Sequence, residues 1–401
     1  MKPLTKQLKI FWWRIKSFFA RYYYGNPSNK LKIVGVTGTN GKTTITTLLY
    51  KIATELGYKA GLVGTVDNII AGKVIHTDFT TPEPSQLNRF LFEMAKERCE
   101  YVFMEVTSHG LEEKRVAGLK FTGAVFTNLT HDHLDYHGNM ENYFSAKKKL
   151  FDMLSENSFA LSNIDDQYGL KIMEGTKAKK YTYGFKHRAD FGDKLKTKLL
   201  GDFNAYNALA VWSVCQLLGF DMSKVNKILE NIEPPRGRLE NFISPNGILV
   251  IVDYAHTPDA LQNVLQTVKD MKKENTSPRP NGRGKIISVF GCGGDRDPLK
   301  RSVMGKIGTN LSDIAIFTSD NPRSENPDAI IQSMKKDLTK EELKKVITMS
   351  DRRLAISEAV KLARKGDIIL CAGKGHEDYQ EIKGMKTHFN DLEEFKKIFS
   401  L

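Results

Sequence analysis

Cysteine is scarce and scattered, with 4 residues in a chain of 401, at Cys99, Cys215, Cys292 and Cys371. No two of them stand in a CxxC or zinc-ligand spacing. That excludes a disulfide framework or a cysteine zinc module and points to a reducing, cytoplasmic compartment. A long uncharged apolar run is also missing. The most apolar segment, 8-LKIFWWRIKSFFARYYYG-25, is interrupted by Lys9, Arg14, Lys16 and Arg21, too short and too charged to span a bilayer. No small-residue cleavage site follows it, so it does not read as a secretory signal. Acidic residues are absent from positions 1–32, which hold eight Lys/Arg and so leave only +5 of the formal +13 for the rest. An excess confined to a tail excludes a nucleic-acid-binding body. Internal repeats and low-complexity tracts are lacking as well.

What the tail does contain is an apolar stripe. Leu8, Phe11, Trp12, Ile15, Phe18, Phe19, Tyr22 and Tyr23 recur at helical spacing. A basic amphipathic helix lying on an anionic membrane surface, at the inner face, fits this pattern. A helix docked on the chain's own core or on a partner is the alternative. Beyond the tail, 40% hydrophobic and 27% charged residues describe a globular protein, and the length calls for two domains plus an appendage. Strand and helix alternate. Strands are expected at 31–37, 101–108, 123–129, 247–255, 285–294, 313–320 and 367–373, and helices at 43–57, 141–154, 204–218 and 258–273. Pro234-Pro235 breaks the series, and 274-ENTSPRPNGRG-284 reads as a polar loop. The expected organisation is an α/β chain with a basic aromatic helix over 1–30, a nucleotide-binding domain over 31–235 and a Rossmann-like domain over 236–401. Both domains are expected to be parallel sheets with active groups at strand carboxyl ends, facing a shared cleft.

The chemistry begins at 34-VGVTGTNGKTT-44. A P-loop spacing requires glycine at 36, where Val36 stands; glycines occur at 35 and 38 instead. The setting is nevertheless that of a phosphate cradle. A buried strand runs into Gly38, Thr39, Asn40, Gly41, Lys42, Thr43 and Thr44, and a helix follows. Backbone N–H groups and the helix N-terminus suit phosphate oxygens, Lys42 neutralises charge and Thr43 can reach Mg²⁺. Glu105, at a strand end, supplies an oxygen ligand of the type Mg²⁺ prefers. The cluster 131-HDHLDYHG-138 reads either as a metal site or as a polar loop with helix caps. In 143-YFSAKKKLF-151, Lys147 alone falls four residues from both Tyr143 and Phe151, which predicts that it is buried. In the second half, 253-DYAHTPDAL-261, 291-GCGGDRDPLKR-301, 320-DNPRSE-325 and 373-GKGHEDYQ-380 each follow a hydrophobic run. Arginines beside carboxylates suit a zwitterionic ligand, the guanidinium taking its carboxylate and Asp or Glu its ammonium.

Taken in order, TGTNGKTT, TTPEP, EVTSHGL, FTNLTHDHLDYHG, YFSAKKKLF, GDFNAYNALA, GRLE, DYAHTPDAL, GCGGDRD, DNPRSE and GKGHEDYQ resemble the Mur ligase family, from about residue 26 onward. Within it they are most similar to ligases that add the third peptide residue to the peptidoglycan precursor UDP-MurNAc-L-Ala-D-Glu. The shifted glycine is that family's own variant of the cradle. The resemblance implies a monomeric, ATP- and Mg²⁺-dependent amide ligase working through an acyl phosphate. It implies Thr43 and Glu105 on one Mg²⁺, and His133 and a carbamylated Lys147 on a second. Lys42, Glu105, His133 and Lys147 are the implied catalytic set. Asn204 and Asn207 match the adenine-side motif, and Asp253 and His256 line the nucleotide. Thr80, Thr81, Ser108 and Arg115 match positions that hold the muramoyl-dipeptide. Arg296, Asp320, Asn321, Arg323, Gly373 and Glu377 match contacts to meso-diaminopimelate, with Arg323 taking the distal carboxylate that L-lysine lacks. Such ligases begin with a uridine-binding domain, and here the basic aromatic helix stands before the loop instead. Competing readings are a ligase for L-lysine or for a substrate without UDP, such as a folate, and an inactive nucleotide-binding scaffold at the membrane. Retention of all four catalytic residues argues against the last.

Overall fold

A computed structural model of the chain describes residues 3–75, 79–273 and 284–401. The loop expected over 274–284 therefore falls, but for Gly284, outside the described residues. Two compact units divide the chain at Met1–Glu233 and Pro234–Leu401.

The first unit opens with helix α1 (Pro3–Tyr23), strand β1 (Lys32–Thr37), α2 (Lys42–Glu55), β2 (Ala60–Val63), β3 (Asn68–Ile70), β4 (Lys73–Ile75) and α3 (Pro84–Lys96). It continues through β5 (Tyr101–Glu105), α4 (Ser108–Glu112), β6 (Gly123–Phe126), α5 (Leu134–His137) and α6 (Met140–Asp152). It closes with β7 (Phe159–Asn163), β8 (Lys179–Tyr183), α7 (Asp202–Leu217) and α8 (Met222–Asn231). The strands form one sheet in the order β4-β3-β2-β5-β1-β6-β7-β8. β1 pairs in parallel with β5 on one side and β6 on the other. Sandwiched between layers, it is apolar on both faces. Ile33 enters one core and Val34 and Val36 the other. Its carboxyl end lies where the chain departs to opposite sides of the sheet, the position where α/β folds form their ligand crevice.

The sheet is mixed, not wholly parallel as the alternation predicts. β2, β3 and β4 pair antiparallel. Ala71 and Gly72, at φ +48° and +85°, make a two-residue left-handed turn between β3 and β4, and so tight a connection permits only antiparallel pairing.

The second unit comprises β9 (Glu240–Ile243), β10 (Leu249–Asp253), α9 (Pro258–Lys273), β11 (Ile286–Phe290), α10 (Leu299–Leu311), β12 (Ile314–Phe317) and α11 (Pro327–Lys335). After these come α12 (Lys340–Leu343), β13 (Val346–Thr348), α13 (Arg352–Leu362), β14 (Ile368–Ala372), the hairpin β15 (Tyr379–Ile382)–β16 (Met385–His388) and α14 (Asp391–Phe399). The sheet order is β13-β12-β11-β14-β10-β9, with β9 alone antiparallel to its neighbour.

A fully buried ion pair braces the strand ends of this unit. Arg352 donates to both Asp391 oxygens at 2.7 and 2.8 Å, and also to Ala372 O at the end of β14 and Ser319 O beyond β12. Three guanidinium nitrogens thus meet a carboxylate and two backbone carbonyls out of water. Breaking such a pair strands a buried charge, at about 3–5 kcal/mol. Arg352→Met is expected to lower unfolding free energy by that amount in urea titration; a loss under about 1 kcal/mol would show that the pair is not structural.

Candidate functional site

The loop after β1 is built around two glycines. A Cβ on Gly38 would lie 1.8 Å from Thr127 Oγ1, and one on Gly41 would lie 2.5 Å from Asn207 Oδ1. Gly41 also has φ +89°, a left-handed conformation that penalises any side chain. The close approach at Gly41 brings α7 to the loop, where Asn207 Nδ2 donates to Asn204 Oδ1 at 3.0 Å. Thr39 and Asn40 are stitched to the end of β6. Thr39 N donates to Asn128 O at 2.9 Å, Asn40 N to Asn128 Oδ1 at 2.9 Å, and Thr127 Oγ1 to Asn40 O at 2.6 Å. Lys42 Nζ donates to Gly38 O and Thr39 O at 2.9 and 2.7 Å. Thr44, buried, completes the first turn of α2.

Glu105 ends β5 beside the loop and is almost fully buried. Its Oε2 accepts from Thr43 Oγ1 and from Thr65 Oγ1, both at 3.0 Å, and its Oε1 accepts from Thr65 N at 2.8 Å. Thr65 Oγ1 in turn meets Thr80 Oγ1 at 3.0 Å, and Thr81 Oγ1 donates to Glu105 O at 3.0 Å. Hard oxygens from Thr43 and Glu105 therefore stand together, a donor set that fits Mg²⁺.

Lys147 is 1% exposed. Its Nζ donates to Gly38 O at 2.8 Å and lies 4.6 Å from the Tyr143 ring. Burial, reinforced by nearby Lys42, pushes its pKa well below that of an ordinary lysine. His133 keeps 45% of its side chain exposed and pairs with Asp132 at 3.3 Å. Its ring is 6.1 Å from that of Tyr143, so both residues neighbour one tyrosine. As an amine, Lys147 presents no oxygen to a metal; as a carbamate it would.

Ser108 and Arg115 are both buried. Ser108 Oγ is 3.0 Å from His137 Nε2. Arg115 donates through Nε and Nη2 to Glu113 Oε2 at 2.9 and 2.5 Å and through Nη1 to Thr81 O at 2.8 Å. Its guanidinium lies 4.4 Å from the Phe79 ring and 5.6 Å from the Trp13 ring of α1.

In the second unit Asp253 ends β10, accepting from Leu239 N at 2.7 Å and Ala255 N at 2.8 Å. Burial raises its pKa against the opposing pull of Arg238. His256 Nδ1 donates to Tyr254 O at 2.8 Å. Asn321 is a hub: its Nδ2 donates to Glu377 Oε2 at 2.9 Å, and its Oδ1 accepts from Lys374 Nζ at 3.2 Å and Glu381 N at 2.9 Å. Gly373, at φ +116°, lets the chain pass Asp320, whose Oδ2 a Cβ would meet at 2.6 Å. Arg323 sits at φ +50°. The backbone there is fixed by Arg323 N→Glu381 O at 3.1 Å and Lys383 N→Arg323 O at 2.7 Å. Its Nη1 donates to Gly294 O at 2.8 Å, and its Nε is 3.7 Å from Glu381 Oε2. Arg296 is exposed on the same loop as Gly293 and Gly294.

These geometries coincide with two matched families of domain. The Mur ligase middle domain matches residues 36–215, and the Mur ligase glutamate ligase domain matches residues 237–375. A UDP-N-acetylmuramoyl-L-alanyl-D-glutamate--2,6-diaminopimelate ligase of Bacteroides fragilis is 49% identical over 399 residues, covering 95% of this chain and 81% of that protein.

The chain belongs to the Mur ligase family.

As a Mur ligase it is an ATP-dependent enzyme. A ligase of the same name from Cytophaga hutchinsonii is 50% identical over 389 residues, 93% of this chain and 78% of the relative. A solved structure of a diaminopimelate ligase of that name aligns with TM-score 0.65 at 31% identity, covering 96% of this chain and 83% of its own. Folylpolyglutamate synthase of Mycobacterium tuberculosis aligns at TM-score 0.71 but 17% identity, covering 96% and 95%, which shows a shared fold alone.

Several side chains that hold this Mur ligase site together go unnoticed in the sequence. Lys374 is fully buried and donates to Glu377 Oε2 at 2.9 Å; its only signal is a lone lysine between two glycines after a buried strand. Thr65 carries no signal beyond being polar, and Asn128 and Tyr143 stand inside motifs with nothing to mark what they bond. His137 is visible only as part of a histidine-rich loop. Burial and the neighbouring His109 and His133 push its pKa down to about 4, and burial with Arg238 and Arg236 pushes that of His376 down to about 3. A histidine held neutral in the fold but titrating near 6.5 when unfolded contributes stability above pH 6.5. That contribution is lost as pH falls toward the folded value. NMR of the histidine Hε1–Cε1 pairs is expected to show His137 and His376 neutral at about pH 5, and chemical unfolding to show stability falling between about pH 6.5 and 4. A protonated His137 signal at pH 5 would contradict the geometry.

Proposed function

We propose that this Mur ligase joins meso-diaminopimelate to UDP-MurNAc-L-Ala-D-Glu, using ATP and Mg²⁺, as a monomer in the cytoplasm, with peripheral membrane contact through α1. The observation that carries the reading is 49% identity across 95% of the chain to a ligase named for that reaction. The arrangement of Asn321, Arg323 and Glu377 supports it.

The reaction runs in two displacements. A carboxylate oxygen of the D-glutamate attacks the γ-phosphorus, forming an acyl phosphate and releasing ADP. The amine of diaminopimelate then attacks the acyl carbon; phosphate leaves with the bonding pair and the nitrogen loses a proton. In this reading the loop N–H groups and the α2 N-terminus hold the phosphates. Lys42, now on loop carbonyls, turns to the transferring phosphoryl group. Asn204 and Asn207 take the adenine side, and Asp253 and His256 are assigned to the nucleotide. Thr80, Thr81, Ser108 and Arg115 hold the muramoyl-dipeptide. Thr43 and Glu105 would hold one Mg²⁺, and His133 and carbamylated Lys147 another; the metal supplies neutralisation of phosphate charge. The depressed pKa of Lys147 favours carbamylation, because only a neutral amine adds CO₂, forming the N–C bond as it loses a proton.

In the second unit Arg323 takes the distal carboxylate, with Arg296, Asp320, Asn321, Gly373 and Glu377 around the amino acid. A ligand lacking that carboxylate leaves the half-buried Arg323 with only Gly294 O and Glu381, a discrimination on the order of 10⁴ where a site is built on such contacts.

Phosphate release from ATP, Mg²⁺ and UDP-MurNAc-L-Ala-D-Glu is expected with meso-diaminopimelate and not with L-lysine. Release with L-lysine alone would remove the role given to Arg323, and release with neither would remove the substrate assignment. Arg323→Ala is expected to lower kcat/KM for diaminopimelate by about 10²–10⁴-fold while leaving KM for ATP unchanged. An equal rise in both KM values would place Arg323 outside the amino-acid pocket.

A further inference from the structure

Helix α1 has two faces with different fates. Trp13, Ser17 and Ala20 are buried, and Tyr24 continues their line at the same spacing. This stripe is docked. Ser17 Oγ donates to Lys114 O at 2.7 Å, Arg21 Nη1 to Gly118 O at 3.0 Å, and Tyr24 packs on Phe92 of α3 with ring centroids 5.6 Å apart. The opposite arc is bare. Phe11, Trp12, Phe18, Phe19, Tyr22 and Tyr23 are 59%, 61%, 57%, 65%, 76% and 82% exposed.

The expected apolar face is thus present, but a different face of the helix holds it to the protein. Six aromatic rings turned to solvent on one helix form the kind of contiguous patch that marks an interaction surface. At 3.6 residues per turn, exposed Arg14 and Lys16 fall on the two borders of the aromatic arc, one on each side. The first acidic residue of the whole chain is Glu55. Among the described residues no helix is long and apolar enough to cross a membrane.

We propose that α1 is an in-plane docking helix for an anionic lipid bilayer. The Phe11/Trp12/Phe18/Phe19/Tyr22/Tyr23 arc inserts at the acyl boundary, with Arg14 and Lys16 on the headgroups. This deepens the peripheral contact stated above and is independent of the reaction. The charge argues for lipid over a protein groove, because cations bordering an aromatic arc match anionic headgroups around an acyl layer. Tyrosine and tryptophan are the aromatics that favour that boundary. Docking leaves the opposite stripe undisturbed, so the helix is held by protein on one side and lipid on the other.

The test is co-sedimentation of the full chain with phosphatidylglycerol/phosphatidylcholine vesicles and with phosphatidylcholine alone, with phosphate release measured in parallel. Pelleting with the anionic vesicles, weakened by salt, and a blue shift of tryptophan emission that Trp12→Phe removes are expected. The triple variant Phe11→Ser/Phe18→Ser/Phe19→Ser is expected to lose at least ~10-fold in partitioning while keeping its melting temperature and its turnover. Arg14→Glu/Lys16→Glu is expected to lose the preference for anionic lipid. Three results would overturn the proposal: no pelleting of folded wild-type protein, pelleting undiminished in the triple variant, or light scattering that shows a dimer dissolved by those same three changes. The last would make the arc a protein interface. Loss of turnover with vesicle binding intact would count against the reaction and not against the helix.

Discussion

Two primary amines converge on the carbonyl oxygen of Gly38, Lys42 at 2.9 Å and Lys147 at 2.8 Å. Out of water, two ammonium groups sharing one oxygen repel strongly, and the molecule resolves the conflict by burial. Lys147, on α6, holds a proton more weakly than an ordinary lysine, while Lys42 opens α2 at the end of the loop. The arrangement requires Gly38 to have no side chain, because Thr127 fills the space a Cβ would take. It also requires Tyr143 to line the pocket, with its hydroxyl 3.2 Å from Thr39 Oγ1. Strand β6, helix α6 and the phosphate loop are therefore registered on one peptide unit.

How much of this could be read from sequence follows from range. Local rules found β1, the loop and α2, because a buried strand, paired glycines and a helical period sit next to one another. The burial of Lys147 was legible for the same reason, four residues from an apolar neighbour on each side. Contacts made across the fold were not. Thr65 gives Glu105 two hydrogen bonds from 40 residues away, and no periodicity announces that. The Ala71-Gly72 and Lys383-Gly384 turns lack the Asn-Gly or Asp-Gly signature that flags a two-residue hairpin, so β3, β4 and the β15–β16 pair went unseen. On α1 the aromatic period was plain, but the face that docks is a stripe of one tryptophan, one serine and one alanine, too mixed to advertise itself.

The second unit meets a related demand with a different device. Asn321, Glu377 and Lys374 form a set in which one amide side chain both donates to the carboxylate and accepts from the lysine. Burial raises the pKa of Glu377, and Lys374 pulls against that rise. Asn321 and Lys374 follow, by two residues each, the Ser319 and Ala372 carbonyls that Arg352 ties together.

Trp13 belongs to two structures at once. It anchors α1 to the first compact unit, and its ring lies against the guanidinium of Arg115, which also touches Phe79. A version of the enzyme pared back to its phosphate loop would thus lose the indole packed on Arg115 along with its leading helix. Arg115 would face water on the side where an indole now excludes it, and its bonds to Glu113 and Thr81 would weaken as the local dielectric rose. The packed edge of the first unit accordingly lies inside α1, well before the strand, β1 at Lys32, that a reading of motifs would take as its beginning.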